Sequence, residues 1–340
     1  MQKIIIRFFL LIPLFTIAQI GGENVFNFLN LSTSARQAAM GGKSITLTND
    51  INQVFWNPAT INDDMMGKIS VGYLNFLTDI NHLTIAHVFE PSQKIGMLHA
   101  GIHYANYGTI EEANEEGILS GNKFRSSDLS ISIGKSIQIP DLPIYAGANI
   151  KFINSVLAQY SSFGVGIDLG FILKDEQLPY TVALTIRNAG FQLTTFDQSK
   201  ESFPFSITLG TSYQLKNAPF KFHLTMDELQ QWQLGYSNPA NSTTNLDGSV
   251  QEEEISFFNN ALRHISFGVE ILPEKNLNLL LGYNFRRGEE LSLENVRTFS
   301  GLNLGFGFKA KKFDFNYAYS NYHKASSSHT FTITLDLFKS

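Results

Sequence analysis

Histidines, glycines and acidic runs are the features of this 340-residue chain that could carry chemistry. The tightest distinctive histidine pair is His99 and His103, four positions apart. On a β-strand this spacing puts both rings on one face but about 13 Å apart, because each residue advances the strand by roughly 3.3 Å. A single metal ion binds its imidazole ligands at about 2 Å. The spacing therefore argues against a metal site formed by this pair.

The glycine-rich segment Gly164–Gly170 does not predict a nucleotide site. Its strict alternation is typical of a strand with one small face, whereas a phosphate-binding loop opens a helix. The chain has no Gly-x-Ser-x-Gly elbow. It also has no cysteine, which excludes a catalytic thiol, a thiolate metal site, a disulfide and a lipoprotein anchor. We therefore expect no catalytic residue, no cofactor and no metal, and a protein that is not an enzyme.

Two acidic runs, Glu111–Glu116 and Glu252–Glu254, stand out from the rest of the chain. Solvated loop charge is the ordinary role of such runs. The sharper alternative is that they contact a partner or bind calcium together with surface polysaccharide. The net charge is −5 and no long basic tract occurs, so nucleic acid is not an expected partner.

The composition indicates a membrane protein built from strands. Charged residues make up 16% of the chain, below the usual quarter, and aromatic residues make up 13%. Yet the mean hydropathy is −0.04. A helical membrane protein of this size would be far more hydrophobic. A transmembrane barrel places apolar side chains at only every second position, so its mean hydropathy stays near zero.

The N-terminus reads as an export signal. Lys3 and Arg7 flank the apolar stretch Ile4–Ile17, and Thr16-Ile17-Ala18 has the small-x-small pattern of a cleavage site. The alternative, a membrane anchor, needs roughly 20 apolar residues, which this stretch lacks. We therefore assign residues 1–18 to a signal peptide.

Period-two alternation of apolar and polar residues dominates the rest of the chain. Leu302–Phe308, Phe313–Tyr319 and Phe331–Leu337 show it most clearly. Membrane strands need about 9–11 residues and soluble strands average 5–6. The pattern predicts an all-β fold, a transmembrane antiparallel β-barrel of about 14 strands over residues 67–340. The predicted strands are Gly67–Leu77, Asn81–Glu90, Lys94–Asn106, Ser127–Ile139, Ile144–Ser155, Tyr160–Lys174, Tyr180–Ala189, Phe205–Lys216, Phe220–Leu229, Arg263–Leu272, Asn276–Arg287, Thr298–Lys309, Phe313–Tyr322 and His329–Phe338.

Connection lengths predict the orientation of this barrel. Every connection after an even-numbered strand is tight, whereas most after odd-numbered strands are long. Outer-membrane barrels have short periplasmic turns and longer external loops. We therefore expect both termini in the periplasm. The long loops are Tyr107–Ser126, Gly190–Pro204, Gln230–Leu262 and Gly288–Arg297.

The final strand has the amphipathic character of a membrane-insertion signal. Its apolar residues are Phe331, Ile333, Leu335, Leu337 and Phe338, although Phe338 is out of phase and two residues from the end. Closure of the barrel also requires this strand to pair with the first one, because an open edge in lipid leaves backbone groups unsatisfied.

Residues 19–66 do not alternate cleanly and are expected to plug the lumen, which at this strand count is too wide for wall side chains to fill. A short helix is predicted from Ser34 to Met40, capped by Ser32 or Ser34 and ended by Gly41. Arg36 is expected to pair with a lumen carboxylate such as Asp168 or to face periplasmic water. Asn57 and Pro58 either satisfy buried backbone groups against the wall or only shape a turn.

This N-terminal segment carries a family resemblance. Ser34-Ala35-Arg36 leads to Gly41-Gly42, then to Asp50, and then to Phe55-Trp56-Asn57-Pro58-Ala59. The motif resembles the plug region of FadL-like outer-membrane barrels. Within that superfamily it is most similar to the PorV/PorQ family of the type IX secretion system. The likeness covers about forty residues by motif and otherwise rests on length, strand count and loop order.

The resemblance implies a non-enzymatic outer-membrane component of type IX secretion in a Bacteroidota-type Gram-negative cell. PorQ-like members belong to a surface attachment complex with PorU, PorV and PorZ that processes cargo and links it to lipopolysaccharide. Their implied role is to hold the PorZ partner at the surface, within outer-membrane lipid. The alternative is a FadL-like transporter of long-chain fatty acids or other hydrophobic ligands. An outer-membrane lipid hydrolase is a weaker third reading, without visible Ser/His/Asn geometry.

Overall fold

The computed structural model describes residues 24–92, 95–114, 116–175, 177–197, 199–235, 243–244, 250–251, 255–291, 299–323 and 326–337. The predicted signal peptide, residues 1–18, lies outside this range and stays a prediction. Glu115, the run Glu252–Glu254 and Phe338 also lie outside the described residues.

Strands make up most of the described chain. They are β1 (Lys68–Asn75), β2 (Asn81–Phe89), β3 (Leu98–Ala113), β4 (Leu119–Gln138), β5 (Ile144–Leu157), β6 (Tyr160–Lys174), β7 (Tyr180–Thr194), β8 (Ser206–Gln214), β9 (Phe220–Met226), β10 (Thr243–Thr244), β11 (Val250–Gln251), β12 (Ile265–Ile271), β13 (Leu277–Asn284), β14 (Leu302–Lys309), β15 (Phe313–His323) and β16 (Ser326–Asp336). Within the described residues, fourteen strands close into one antiparallel barrel, and β10 with β11 forms a separate small hairpin. The predicted fold class and strand count are confirmed.

Short helices lie before the first strand and between later ones. The α-helices are α1 (Ala35–Ala39), α2 (Phe257–Arg263) and α3 (Phe285–Glu290). The 3-10 helices are Asn27–Asn30, Ile51–Phe55, Pro58–Thr60 and Asp63–Met65. No helix in the described part of the chain is long and apolar enough to cross a membrane.

The wall is closed by the pairing of its terminal strands. Lys68 to Asn75 of β1 faces Asp336 to His329 of β16 in an unbroken antiparallel register. β9 pairs with β12, so the chain between them leaves the wall without opening it. Each barrel strand is therefore paired with a neighbour on both of its sides. Lipid requires this pairing, because backbone groups left open there have no water to bond to.

Side chains alternate between the two faces of the wall as predicted. Phe331, Ile333 and Leu335 of β16 are exposed on the exterior, while Thr330 and Thr332 are buried in the lumen. Leu337, just after β16, is exposed as well. The exterior is apolar and the lumen is lined mainly by hydroxyl, amide, glycine and charged residues, which is the pattern of a membrane barrel.

Strand lengths differ from the sequence prediction on two sides of the barrel. β3 and β4 continue through most of the predicted loop Tyr107–Ser126, because their cross-strand pairs extend to Ala113 and Leu119. β7 likewise continues to Thr194. On the opposite side, β12 and β13 end early, and the predicted strand end at Phe285–Arg287 is helical. The barrel is therefore tall on one side and low on the other.

The segment before β1 runs through the lumen from one end to the other. Asn24 bridges to Ser202 in the β7–β8 loop, and the Val25 N–H donates to the Ser202 carbonyl at 2.9 Å. The segment then descends to Gly67, beside the start of β1 and the end of β16. By the loop-length rule the β7–β8 loop is external. Asn24, the first described residue, therefore lies at the end of the barrel predicted to be external, while residues 1–23 and 338–340 lie outside the described residues and the periplasmic placement of both termini stays a prediction.

Candidate functional site

The candidate site is the interface between the luminal segment, residues 24–66, and the barrel wall. Its Asn57-Pro58-Ala59 corner illustrates how the two fit. The Asn57 amide caps the 3-10 helix Pro58–Thr60 by accepting from Ala59 N–H at 3.1 Å, and it donates to the Ile45 carbonyl at 2.9 Å. A Cβ added at Gly147 of β5 would lie 2.5 Å from the Ala59 nitrogen. Asn57 thus both shapes a turn and satisfies buried backbone groups.

Helix α1 packs against the side of the barrel wall opposite β5. Ser34 caps it by accepting from Gln37 N–H at 3.2 Å, as predicted for one of two candidate serines. Ala35 N–H donates to the Thr332 hydroxyl of β16 at 2.9 Å. A Cβ at Gly282 of β13 would come within 2.6 Å of the Gly41 nitrogen, so glycine is needed where helix and wall meet.

Gly41 ends α1 as predicted, and both Gly41 and the following Gly42 have positive φ, of +85° and +86°. Gly42 N–H donates to the Gln37 carbonyl at 3.0 Å, which satisfies one of the open carbonyls of the last turn. Residues with a Cβ adopt this left-handed conformation at a cost, so both glycines have a conformational reason to be present.

Arg36 pairs with a lumen carboxylate, as predicted, but its partner is Glu270 rather than Asp168. Its guanidinium donates to both carboxylate oxygens of Glu270 on β12 at 2.8 Å. One oxygen of the same carboxylate lies 2.8 Å from His223 Nε2, and His223 Nδ1 lies 2.9 Å from the Thr46 hydroxyl. Burial lowers the pKa of Arg36, but the carboxylates of Glu270 and Asp50 outweigh it and hold the pKa above its ordinary value. The Arg36 side chain is 11% exposed and held by this carboxylate, so the alternative of a residue that only faces periplasmic water is wrong.

Asp168 instead joins wall residues to one another. Its carboxylate pairs with Lys151 at 2.8 Å and accepts the Asn188 backbone N–H at 2.9 Å, where the β6–β7 register shifts. Asn149 donates to Asp168 at 3.2 Å and to the Val54 carbonyl at 2.6 Å, and its amide oxygen is 2.6 Å from His99 Nε2. This buried network ties β3, β5, β6 and β7 to the luminal segment.

Trp56 lies between two cations at the centre of the interface. The Arg187 guanidinium of β7 stacks 3.7 Å from the centre of the indole, and Lys43 approaches to 5.6 Å. Arg187 also donates to the Leu29 carbonyl at 2.7 Å. Lys43 pairs with Asp227 at 3.4 Å. Burial raises the pKa of Asp227, and the Lys43 charge offsets only part of that rise.

Sequence reasoning missed these wall partners. Glu270, Lys151 and Arg187 each occupy a lumen position of a strand and are at most 2% exposed. The signal in the sequence was a long charged residue at a strand position whose neighbours on the same face are small and polar. A charge buried in this way needs a partner. Which partner it meets depends on the luminal segment and was not visible in the strand pattern.

His103 pairs across the sheet rather than along its strand. His103 Nε2 lies 3.3 Å from His82 Nδ1 of β2, and its ring packs 5.0 Å from that of Phe28. His99 faces Asn149 instead. Among the described residues, no group of three or more histidines, aspartates or glutamates is arranged to hold a metal ion.

An apolar cluster lies where the luminal segment approaches the external end. Phe26 packs edge-on against Phe203 of the β7–β8 loop, with ring centres 5.2 Å apart. A Cβ at Gly164 of β6 would come within 2.6 Å of the Phe203 ring, so the wall is thin there. The buried members of this external apolar cluster are Val25, Phe26, Phe28, Leu29, Ala105, Ile153 and Phe203.

A polar cavity of about 540 Å³ opens at the periplasmic end, between the luminal segment and strands β13–β16. Asp50 and Asp64 face it from the segment, and Lys68, Asn278 and Lys309 face it from the wall. Its surface is unsuited to an apolar ligand and well suited to water. This polar cavity and the external apolar cluster thus lie toward opposite ends of the lumen.

The described part of the first acidic run lies on the β3–β4 hairpin, exposed to solvent. Glu111 pairs with Lys123 at 3.3 Å, and Glu112 accepts from Ser120 and Asn122 at 3.1 and 2.9 Å. These contacts are within the hairpin, so the run has the solvated character that is ordinary for such sequences.

Comparison with known proteins gives a fold but no sequence family. No family model matches the chain, and no curated protein matches it. Its structure is similar to that of the TodX monoaromatic hydrocarbon channel (deltaS2 mutant), with a TM-score of 0.52, 14% identity and coverage of 88% of this chain and 97% of that chain. It is also similar to the toluene transporter TbuX of Ralstonia pickettii, with a TM-score of 0.53, 10% identity and coverage of 92% and 98%.

The chain has the FadL-like barrel fold. At such low identity the likeness shows the fold alone. Both neighbours are FadL-family outer-membrane barrels, which supports a Gram-negative outer-membrane location. One neighbour is named as a hydrocarbon channel and the other as a toluene transporter.

Proposed function

We propose that this FadL-like barrel is an outer-membrane transport protein for hydrophobic molecules. The observation that carries the proposal is the fold: a closed 14-stranded wall around an inserted N-terminal segment, similar over 88% and 92% of the chain to two proteins named for hydrocarbon transport. Long-chain fatty acids and small aromatic hydrocarbons are the substrate classes to test.

The external apolar cluster is the proposed binding site. Phe26, Phe28 and Phe203 are buried beneath the external loops, and the rings supply the apolar surface that most ligand pockets use. The luminal segment occupies this space in the described residues. A ligand therefore has to displace Phe26 and Phe203 from each other before it binds.

Uptake in intact cells tests this proposal. A strain lacking the gene is complemented with the wild-type barrel or with Phe203→Asp, and uptake of radiolabelled oleate and toluene is measured. The expected result is that deletion lowers uptake of one of them, the wild-type gene restores it, and Phe203→Asp does not. Phe299→Asp, at an exposed external position, is the control for the introduced charge and restores uptake. Unchanged uptake of both compounds after deletion rejects transport.

A second candidate, a PorQ-like anchor for a surface attachment complex, is favoured by a different observation. The β3–β4 hairpin extends well past its neighbours, because β2 pairs with β3 only to Asn106 and β5 pairs with β4 only from Ser126. Residues between these limits project from the barrel and offer a surface to a PorZ-like partner, with PorU and PorV and lipopolysaccharide as further members. This role would be exercised in a Bacteroidota-type outer membrane.

The two functions are separated by shortening the hairpin. Replacing residues 109–125 with a two-residue turn removes the projecting part and leaves the wall pairs up to Asn106 and Ser126 intact. An anchor predicts that a PorZ-like protein and its cargo are released into the medium while uptake is unchanged. A transporter without an anchoring role predicts no release.

A further inference from the structure

The low side of the barrel is too short to cover the apolar thickness of a membrane with strands alone. β12 has seven residues and β13 and β14 have eight each. At about 3.3 Å per residue and a tilt near 40°, such strands reach roughly 20 Å along the membrane normal, against an apolar band of about 25 Å. On the tall side β4 has twenty residues. Something other than strand has to face lipid above β12–β14.

Helices α2 and α3 lie at the external ends of these short strands. α3 follows β13 directly at Phe285, and α2 ends one residue before β12. The helices are tied together by Arg263 and Glu290 at 3.9 Å and by a hydrogen bond from Asn259 to Glu289 at 3.2 Å. They therefore form one body on top of the low wall.

The exposed aromatic residues of this region are its most unusual feature. Phe257 and Phe258 of α2 are 75% and 71% exposed, and Trp232 is 47% exposed with its ring 4.9 Å from that of Phe257. A soluble surface rarely exposes such a group. Aromatic side chains are instead enriched where a membrane protein meets the boundary of the bilayer.

The aromatic patch continues the lipid-facing surface of the barrel. Phe222 of β9 stacks on Phe267 of β12 with ring centres 6.1 Å apart, and Phe267 faces Tyr283 across the β12–β13 pair. Tyr283 in turn contacts Phe285 of α3 at 5.0 Å. This row of rings runs from the membrane-facing strands into the helical body.

We propose that α2 and α3 complete the membrane-facing wall on this side, with Phe257, Phe258 and Trp232 inserted among the acyl chains of the outer leaflet. The shortfall of roughly 5 Å is less than the diameter of one helix, about 10 Å, so a helix lying across the strand ends covers it. The occupant of the patch is lipid rather than a protein partner.

Single cysteines provide a direct test, because the chain contains none. Phe258→Cys is labelled with an environment-sensitive fluorophore in the full-length barrel reconstituted in phosphatidylcholine vesicles. Ile118→Cys is the matched control, since Ile118 is an equally exposed apolar residue, at 61%, on the projecting hairpin. The expected result is a blue-shifted label at 258 that is quenched by acyl-brominated phosphatidylcholine, and a water-like, unquenched label at 118.

Two results would overturn the proposal. A label at 258 that stays water-like shows that the patch lies above the membrane. A blue-shifted label that brominated lipid does not quench shows that protein covers it, either a second copy or another loop. Heat-modifiable migration in gels checks that each variant has folded. An independent readout is the quenching of Trp232 by the same lipid, because the other tryptophan, Trp56, is buried and 1% exposed.

Discussion

Arg187 of the barrel wall stacks on Trp56 of the luminal segment, with the guanidinium carbon 3.7 Å from the centre of the indole ring. Both side chains are 1% exposed. A cation held against an aromatic face without water contributes about 2 kcal/mol. This contact therefore joins the luminal segment and the wall away from water.

Arg187→Ala should loosen this contact and lower the free energy of unfolding by about 3 kcal/mol, because it removes the stacked cation and leaves the Leu29 carbonyl without its donor. Urea unfolding in detergent micelles measures the change. Arg125→Ala, an exposed arginine on the hairpin, should change stability by less than about 0.5 kcal/mol. Equal effects of the two substitutions would contradict the role of the stack.

Gly147→Ala should expel or distort the Asn57-Pro58-Ala59 corner, since the new Cβ would lie 2.5 Å from the Ala59 nitrogen and backbone cannot yield as a flexible side chain can. Single-channel recording in planar bilayers should show larger or more frequent openings than wild type. Gly166→Ala is the control, because its Cβ would meet only the movable Phe203 ring at 3.3 Å. A Gly147→Ala barrel as closed as wild type would disprove the steric argument.

Glu270→Gln should destabilise the barrel by about 3–5 kcal/mol, because the buried Arg36 then loses the carboxylate with which it pairs. The double variant Arg36→Met/Glu270→Met should recover much of that loss, since no charge remains to be desolvated. Thermal unfolding followed by loss of heat-modifiable migration gives the comparison. Glu111→Gln breaks an exposed pair with Lys123 and should cost no more than about 1 kcal/mol.

Ile333→Arg should impair membrane assembly more than Leu337→Arg. Ile333 is exposed on the exterior and lies in the interior of β16, whereas Leu337 follows the end of the strand. Arginine costs about 2–4 kcal/mol at the bilayer midplane and about 0–1 near its boundary. Folding into vesicles of stated lipid, monitored by gel migration, ranks the two variants. The reverse order would place β16 at a different depth.

The alternation of apolar and polar residues determined the barrel by itself. Side chains on a strand change face at every residue, so a regular pattern reports the lumen and lipid faces without any tertiary information. Ser34, Gly41 and Asn57 were also predictable, because helix caps and turns are set by neighbouring residues. Strand ends were less predictable: nothing local distinguishes the projecting part of β3–β4 from a loop, and only cross-strand pairing extends it.

Only the tertiary structure decided which charges meet. Arg36 pairs with Glu270, Lys151 pairs with Asp168, and the Arg187 cation stacks on the Trp56 ring. In each case the two residues are separated in the chain by a distance that no local sequence pattern encodes. Closing the barrel sets which strands stand opposite each other, and the path of the luminal segment sets the height at which its side chains meet them. A buried charge then pairs with the nearest group of opposite charge, because an unpaired charge away from water costs more free energy than any local conformational preference supplies.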